Sequence, residues 1–274
     1  MQSEYSDIGG ISKKYREYLD ILNREFQAPF TTEEAIAILG LDKTKGRRTL
    51  AHLVSKGWLS RISKGIYNTV PLGSLDPKSQ SENAWIVADK LFAPCYIGGW
   101  SAAEHWHLTE QIFNDILVIT ARDIRRTRQP VKNILYKLKS VKKDKLFGTS
   151  NAWIGGVKVL VSDPSKTLVD MLDDPSLGGG IRHIADILAN YFESDHKDIM
   201  LLNKYIKKMN NNTIYKRLGY LLETLEINEI AFTEKCRKNI SAGYSNLDPT
   251  VASEGKIMNR WNLKLNVKLD KAVE

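Results

Sequence analysis

Residues 42–70, Asp42-Lys43-Thr44-Lys45-Gly46-Arg47-Arg48-Thr49-Leu50-Ala51-His52-Leu53-Val54-Ser55-Lys56-Gly57-Trp58-Leu59-Ser60-Arg61-Ile62-Ser63-Lys64-Gly65-Ile66-Tyr67-Asn68-Thr69-Val70, decide how this chain is read. Asp42 is placed to cap a helix that runs to about Lys56, and Gly57 suits the position after its end, where a left-handed backbone is needed. Two short β-type runs, Trp58–Ile62 and Ile66–Val70, follow, joined by Ser63-Lys64-Gly65. Upstream, Ile11, Tyr15, Tyr18, Leu19, Leu22 and Phe26 recur at helical spacing and predict an amphipathic helix. Ala28-Pro29-Phe30 ends it, because the residue before proline is pushed out of helical geometry. Thr31 or Thr32 then caps a short helix with Glu33 and Glu34 in its first turn, and Gly40-Leu41 is the next turn. Three helices and a hairpin within residues 1–70 is the order of a winged helix-turn-helix.

The charge on this stretch points to a partner. From Lys43 to Lys64 there are seven basic residues and no acid. On a helical wheel Leu50, Leu53 and Val54 point inward, while Thr44, Lys45, Arg48, His52 and Ser55 share the opposite face. Those side chains have lengths and hydrogen-bonding groups that reach base edges in a major groove, with Arg48 the best suited to guanine. Lys43, Arg47 and Lys56 flank the stripe and suit phosphates. Arg61 and Lys64, on or beside the hairpin, suit backbone phosphates or a minor groove.

Residues 71–82, rich in Pro, Ser and Gly, read as a linker, which makes residues 83–274 a second domain. Its first part predicts a helix from Asn83 to Phe92, another beginning near Ser101, and strands at 115–120, 131–139, 151–154 and 157–161. Helical periodicity follows at 164–172, 180–193, 196–209, 213–226 and 228–240, with a late strand at 258–267. The expected class is α+β: a winged helix-turn-helix followed by a larger mixed domain ending in several helices. A second block, Arg122–Lys145, holds ten basic residues against Asp123 and Asp144. Arg122, Arg125, Arg126, Arg128, Lys132, Lys137 and Lys139 are its candidate contacts. Lys137 and Lys139 alternate along a strand and are expected on a shared exposed face. Three uses compete: a further nucleic-acid surface, a surface for an acidic protein partner, or a solvated edge that resists aggregation.

Composition narrows the class. The chain has 274 residues, 42% of them hydrophobic, and a formal net charge of +8, which excludes a disordered chain and favours an anionic partner. Cys95 and Cys236 are far apart, show no CxxC spacing, and read as buried thiols of a reducing compartment. No apolar run approaches the roughly 18 residues of a membrane span. Residues 1–10 lack the pattern of a secretory signal, so a cytoplasmic protein is expected. Catalytic constellations are sparse. Glu104 and His107 share a helix face, but His105 points elsewhere and no third metal ligand has suitable spacing. Ser101 lacks a G-x-S-x-G context. Gly178-Gly179-Gly180 lacks the surroundings of a phosphate loop. Asp163 and Asp170, or Asp173 and Asp174, could hold Mg²⁺, although Asp163 before Pro164 reads better as a helix cap. No metal, no cofactor and no chemistry are expected.

Particular strings go further. Tyr96-Ile97-Gly98-Gly99-Trp100-Ser101-Ala102-Ala103-Glu104 leading to Leu108-Thr109 resembles a helix entrance of the AbiEi-family antitoxins of bacterial type IV toxin–antitoxin (abortive-infection) systems. Asp163-Pro164-Ser165-Lys166-Thr167-Leu168-Val169-Asp170, with Asp173-Asp174-Pro175 and Gly179-Gly180-Ile181, resembles a second signature of that family. Gly57-Trp58-Leu59, Arg61-Ile62 and Gly65-Ile66-Tyr67 are similar to its wing. The resemblance spans roughly residues 30–190, and residues 195–274 carry no matching string. It implies a repressor that binds inverted repeats in double-stranded DNA upstream of its own operon. It also implies an antitoxin that counteracts a nucleotidyltransferase-like toxin, without requiring direct contact with it. Two alternatives stand beside it: a nucleic-acid-modifying enzyme that uses the winged helix for delivery, and a protein-interaction module built on the 122–145 block.

Overall fold

The computed structural model describes residues 12–70 and 83–269. The segment read as a linker, 71–82, lies outside the described residues. The chain divides into two compact units. One comprises residues 1–93 with the short segments 130–134 and 153–157, and the other comprises the remainder.

In the first unit α1 (Lys13–Glu25) is followed by β1 (Phe30–Thr31), α2 (Thr32–Leu39), α3 (Lys43–Ser55), β2 (Leu59–Ser63), β3 (Ile66–Thr69) and α4 (Ala84–Phe92). The helix starts form for the reasons visible in the sequence. Thr31 makes a capping box with Glu34: its side chain accepts from the Glu34 amide at 3.1 Å, and the Glu34 carboxylate accepts from the Thr31 amide at 2.7 Å. Asp42 accepts from the Lys45 amide at 2.9 Å, and Asn83 caps α4. Gly40, at φ +62°, ends α2 in the left-handed region. The sheet order is β1-β3-β2, all antiparallel, with a bulge between Arg61 and Ser63. The two-residue β1 strand, which no local pattern marks, pairs Phe30 with Tyr67 and Thr31 with Ile66. A core of Leu19, Leu22, Phe30, Leu50, Leu53 and Leu59 closes the unit.

The second unit takes in most of a six-stranded mixed sheet ordered β6-β7-β5-β4-β9-β8. Its strands are β4 (Cys95–Ile97), β5 (Asp115–Thr120), β6 (Arg128–Val131), β7 (Ile134–Ser140), β8 (Thr149–Ile154) and β9 (Val157–Ser162), with α5 (Gly99–His105) between β4 and β5. The run read as one strand over 131–139 is instead a hairpin that turns through Lys132, at φ +51°. A helical layer follows: α6 (Pro164–Asp173), α7 (Ile181–Glu193), α8 (Ile199–Met209), α9 (Thr213–Thr224) and α10 (Ile230–Lys238). The helices are not the end. The predicted strand over 258–267 resolves into β11 (Lys256–Met258), a 3₁₀ turn and β12 (Leu263–Leu265), which with β10 (Ser245–Asn246) make a small sheet. Its Trp261 is fully buried among the helices.

Cys95 and Cys236 are both buried and not joined, and burial pushes the Cys236 thiol up to about 12, which leaves it unreactive. Among the described residues no helix is long and apolar enough to cross a membrane.

Candidate nucleic-acid interface

Helix α3 buries Gly46, Thr49, Leu50 and Leu53, spaced one helical turn or less apart. Gly46 lets α3 approach α2 closely: a Cβ there would stand 2.3 Å from Ile36 Cγ1. The opposite face is the cationic one. Lys43, Thr44, Lys45, Arg47, Arg48, Ser55 and Lys56 are all exposed, as are Arg61 and Lys64 on the wing. Two of the predicted readers have local partners. His52 is half-buried and stacks on Tyr15 of α1, with ring centroids 4.3 Å apart. The Ser55 hydroxyl donates to the His52 carbonyl at 2.8 Å. Arg61 Nε donates to the Ser63 carbonyl at 3.3 Å, alongside the bulge.

The second basic block splits. Arg122, Arg125, Arg126, Arg128 and Lys132 are exposed. Lys137 and Lys139 do share a face, but not an exposed one. Lys137 donates to the Ser176 carbonyl at 2.8 Å and lies over the Trp100 ring at 4.5 Å. Burial holds its ammonium below the usual lysine range. Lys139 pairs with Asp174 at 2.5 Å. A charge count along the strand misses both engagements, since the partners lie more than thirty residues downstream.

The carboxylates weighed for Mg²⁺ all have partners within the protein. Asp163 caps α6 through the Lys166 amide at 2.8 Å and accepts from the Tyr205 hydroxyl at 2.7 Å. Asp170 is buried, pairs with Lys166 and accepts from the Tyr96 hydroxyl at 2.8 Å. Asp173 accepts from Asn211 at 2.6 Å, and Asp174 is held by Lys139 and the Ser176 amide. The glycine-rich entrance to α7 already holds an anionic group: the Asp248 carboxylate accepts from the Ile181 amide at 2.7 Å. The strings at 96–109 and 163–181 therefore have structural duties. Gly99, at φ +52°, sits where a Cβ would come within 2.3 Å of the Leu177 carbonyl oxygen, and the Ser101 hydroxyl accepts from the Leu117 amide at 3.0 Å.

The chain is similar to the crystal structure of RV2827C protein from Mycobacterium tuberculosis, at 16% identity and a TM-score of 0.58 over 92% of this chain and 91% of that one. This is a likeness of fold. No curated protein matches. Residues 20–70 match the family described as transcriptional regulator, AbiEi antitoxin, a span that contains α2, α3 and the wing and stops short of the strings at 96–109 and 163–181. Over residues 20–70 this chain is thus similar to the AbiEi-antitoxin transcriptional regulators.

Proposed function

We propose that this chain is a DNA-binding autorepressor and antitoxin, whose winged helix reads inverted repeats upstream of its own toxin–antitoxin operon in the cytoplasm. The toxin it counteracts is of the nucleotidyltransferase-like class, in a type IV, abortive-infection system. The observation that carries the reading is the acid-free, exposed face of α3 inside residues 20–70. Arg48 takes the base-reading role, and Lys43, Arg47, Lys56, Arg61 and Lys64 hold phosphates. Thr44, Lys45 and Ser55 line the same groove-facing surface. His52, stacked on Tyr15, sets the pitch of α3 and reaches the duplex only secondarily.

Gel-shift or anisotropy titrations test this. Arg48→Ala is expected to lose about 1–3 kcal/mol of discrimination between operator and random DNA, as for a bidentate guanine contact. Lys43→Ala is expected to weaken both DNAs alike and to lower the salt slope by about one unit. His52→Ala is expected to weaken both DNAs equally while lowering the melting temperature. Equal losses on both DNAs for Arg48→Ala would remove its assigned role.

The exposed arginines Arg122, Arg125, Arg126 and Arg128, with Lys132, are the proposed second surface, and Lys137 and Lys139 are its supports. Converting the four arginines to serine is expected to abolish rescue from the toxin and leave operator binding within about twofold, far less than a lost phosphate or base contact would cost. The reverse pattern would assign the surface to DNA.

A further inference from the structure

The α2 capping box has a third member outside the winged helix as the sequence defines it. The Glu34 carboxylate accepts from the Thr31 amide through Oε2, and its Oε1 accepts from Lys90 Nζ of α4 at 2.7 Å. The Lys90 side chain is 24% exposed, so the pair is partly withdrawn from solvent. Glu34 stands at a junction. Thr31 belongs to β1, which pairs with β3 of the wing. The next residue, Thr32, donates its amide to the Gly65 carbonyl at 2.9 Å, and its hydroxyl reaches the same oxygen at 3.3 Å. Gly65, at φ +81°, is the wing turn and directly follows Lys64. A continuous chain of hydrogen bonds therefore runs from Lys90 through Glu34 and the 31–32 backbone to the loop that carries Lys64. All of it lies in the first unit, which includes α4.

We propose that Lys90 is a positioning residue for the wing: by holding Glu34 it fixes the 31–32 backbone, and with it the Gly65 turn that aims Lys64 at a phosphate. The inference rests on the DNA-reading function proposed above. Helix α4, beyond the matched residues 20–70, then belongs to the DNA-binding module, and anything that moves α4 changes the wing's grip.

Glu34→Gln separates this role from general electrostatics. Glutamine keeps the capping box, since it also accepts from the Thr31 amide, but loses the ion pair. The change makes the protein more positive, so charge alone would tighten DNA binding. Positioning requires the opposite: about fivefold weaker operator binding, with Lys64→Ala lowering the salt slope by about one unit in the wild type and by nothing in the Glu34→Gln background. Lys90→Met is expected to behave like Glu34→Gln, and Lys90→Arg to restore binding. Unchanged or tighter binding by Glu34→Gln, or equal effects of Lys64→Ala in both backgrounds, overturns the proposal.

Hydrogen exchange on DNA-free protein provides an independent reading. The Thr32 amide is expected to exchange several-fold faster in Glu34→Gln than in the wild type. Unaltered exchange there sinks the positioning role whatever DNA does. Faster exchange in a protein whose wild type shows no operator preference sinks only the DNA-reading function.

Discussion

Lys166→Met is expected to lower the unfolding free energy by about 3–5 kcal/mol, the loss seen when one partner of a buried ion pair is removed. Lys166 is fully buried, with its ammonium hydrogen-bonded to Asp170 and to the Tyr96 hydroxyl at 2.9 Å and lying over the Phe147 ring at 4.7 Å. Methionine fills the volume and leaves the Asp170 carboxylate with only the Tyr96 hydroxyl. Burial already holds the Asp170 carboxyl above its usual range, with Lys166 opposing that rise. Without the ammonium, the folded carboxyl moves higher still and becomes protonated. The sign of the pH dependence follows. The unfolded carboxyl titrates near about 4, and the folded one above it, so the unfolded state loses its proton first as pH rises. The variant is therefore expected to be closest to wild type in acid and to fall further behind as pH climbs towards the folded value. Urea unfolding at several pH values measures this. A pH-independent loss below about 1 kcal/mol would mean that the pair contributes little beyond packing.

Gly219→Ala is expected to be nearly as damaging, against its local preference. In the interior of a helix, alanine ordinarily gains about 1 kcal/mol over glycine. Here a Cβ would lie 2.1 Å from Trp261 Cζ3 and 2.2 Å from Cη2. The indole cannot yield easily: it is fully buried, and its Nε1 donates to Glu223 at 2.6 Å. Glu223 is also gripped by Arg260 at 2.5 Å. Overpacking typically costs about 1–3 kcal/mol and occasionally more; at an approach this close a cost of about 4 kcal/mol is expected, which leaves a net loss of about 3 kcal/mol after the helical gain. A melting temperature within 1–2 °C of wild type would show that the small sheet carrying Trp261 shifts at little cost.

What could be read in the sequence was what neighbours along the chain determine. The caps at Thr31, Asp42 and Asp163, the cationic face of α3 and the wing hairpin all depend on residues within a turn or two of each other. What could not be read was set by distant partners. The two-residue β1 strand exists because β3, some thirty-six residues on, pairs with it. The three-residue β4 strand has too few positions to show a period, and it forms between β5 and β9. The 131–139 run looked continuous because its turn uses Lys132 in place of the usual glycine. Lys137 and Lys139 looked like a free cationic face because Ser176 and Asp174 come from a later segment. His52, placed on the reading face by the wheel, leans instead on Tyr15 of another helix.

The late crossing of residues 246–261 over the helices has a consequence for biosynthesis. Arg217 is buried and donates to the carbonyls of Leu172, Asp173, Asn246 and Leu247, and the first amide of α7 waits for Asp248. On the ribosome, α6, α7 and α9 therefore emerge with a guanidinium and a helix end still unmatched, and they acquire their final partners only when residues 246–248 leave the exit tunnel. The core of the first unit faces no such delay, because its buried residues all lie between Leu19 and Tyr67. Nascent chains arrested before residue 246 would thus carry a closed first core and a helical layer that proteases still recognise as unfinished.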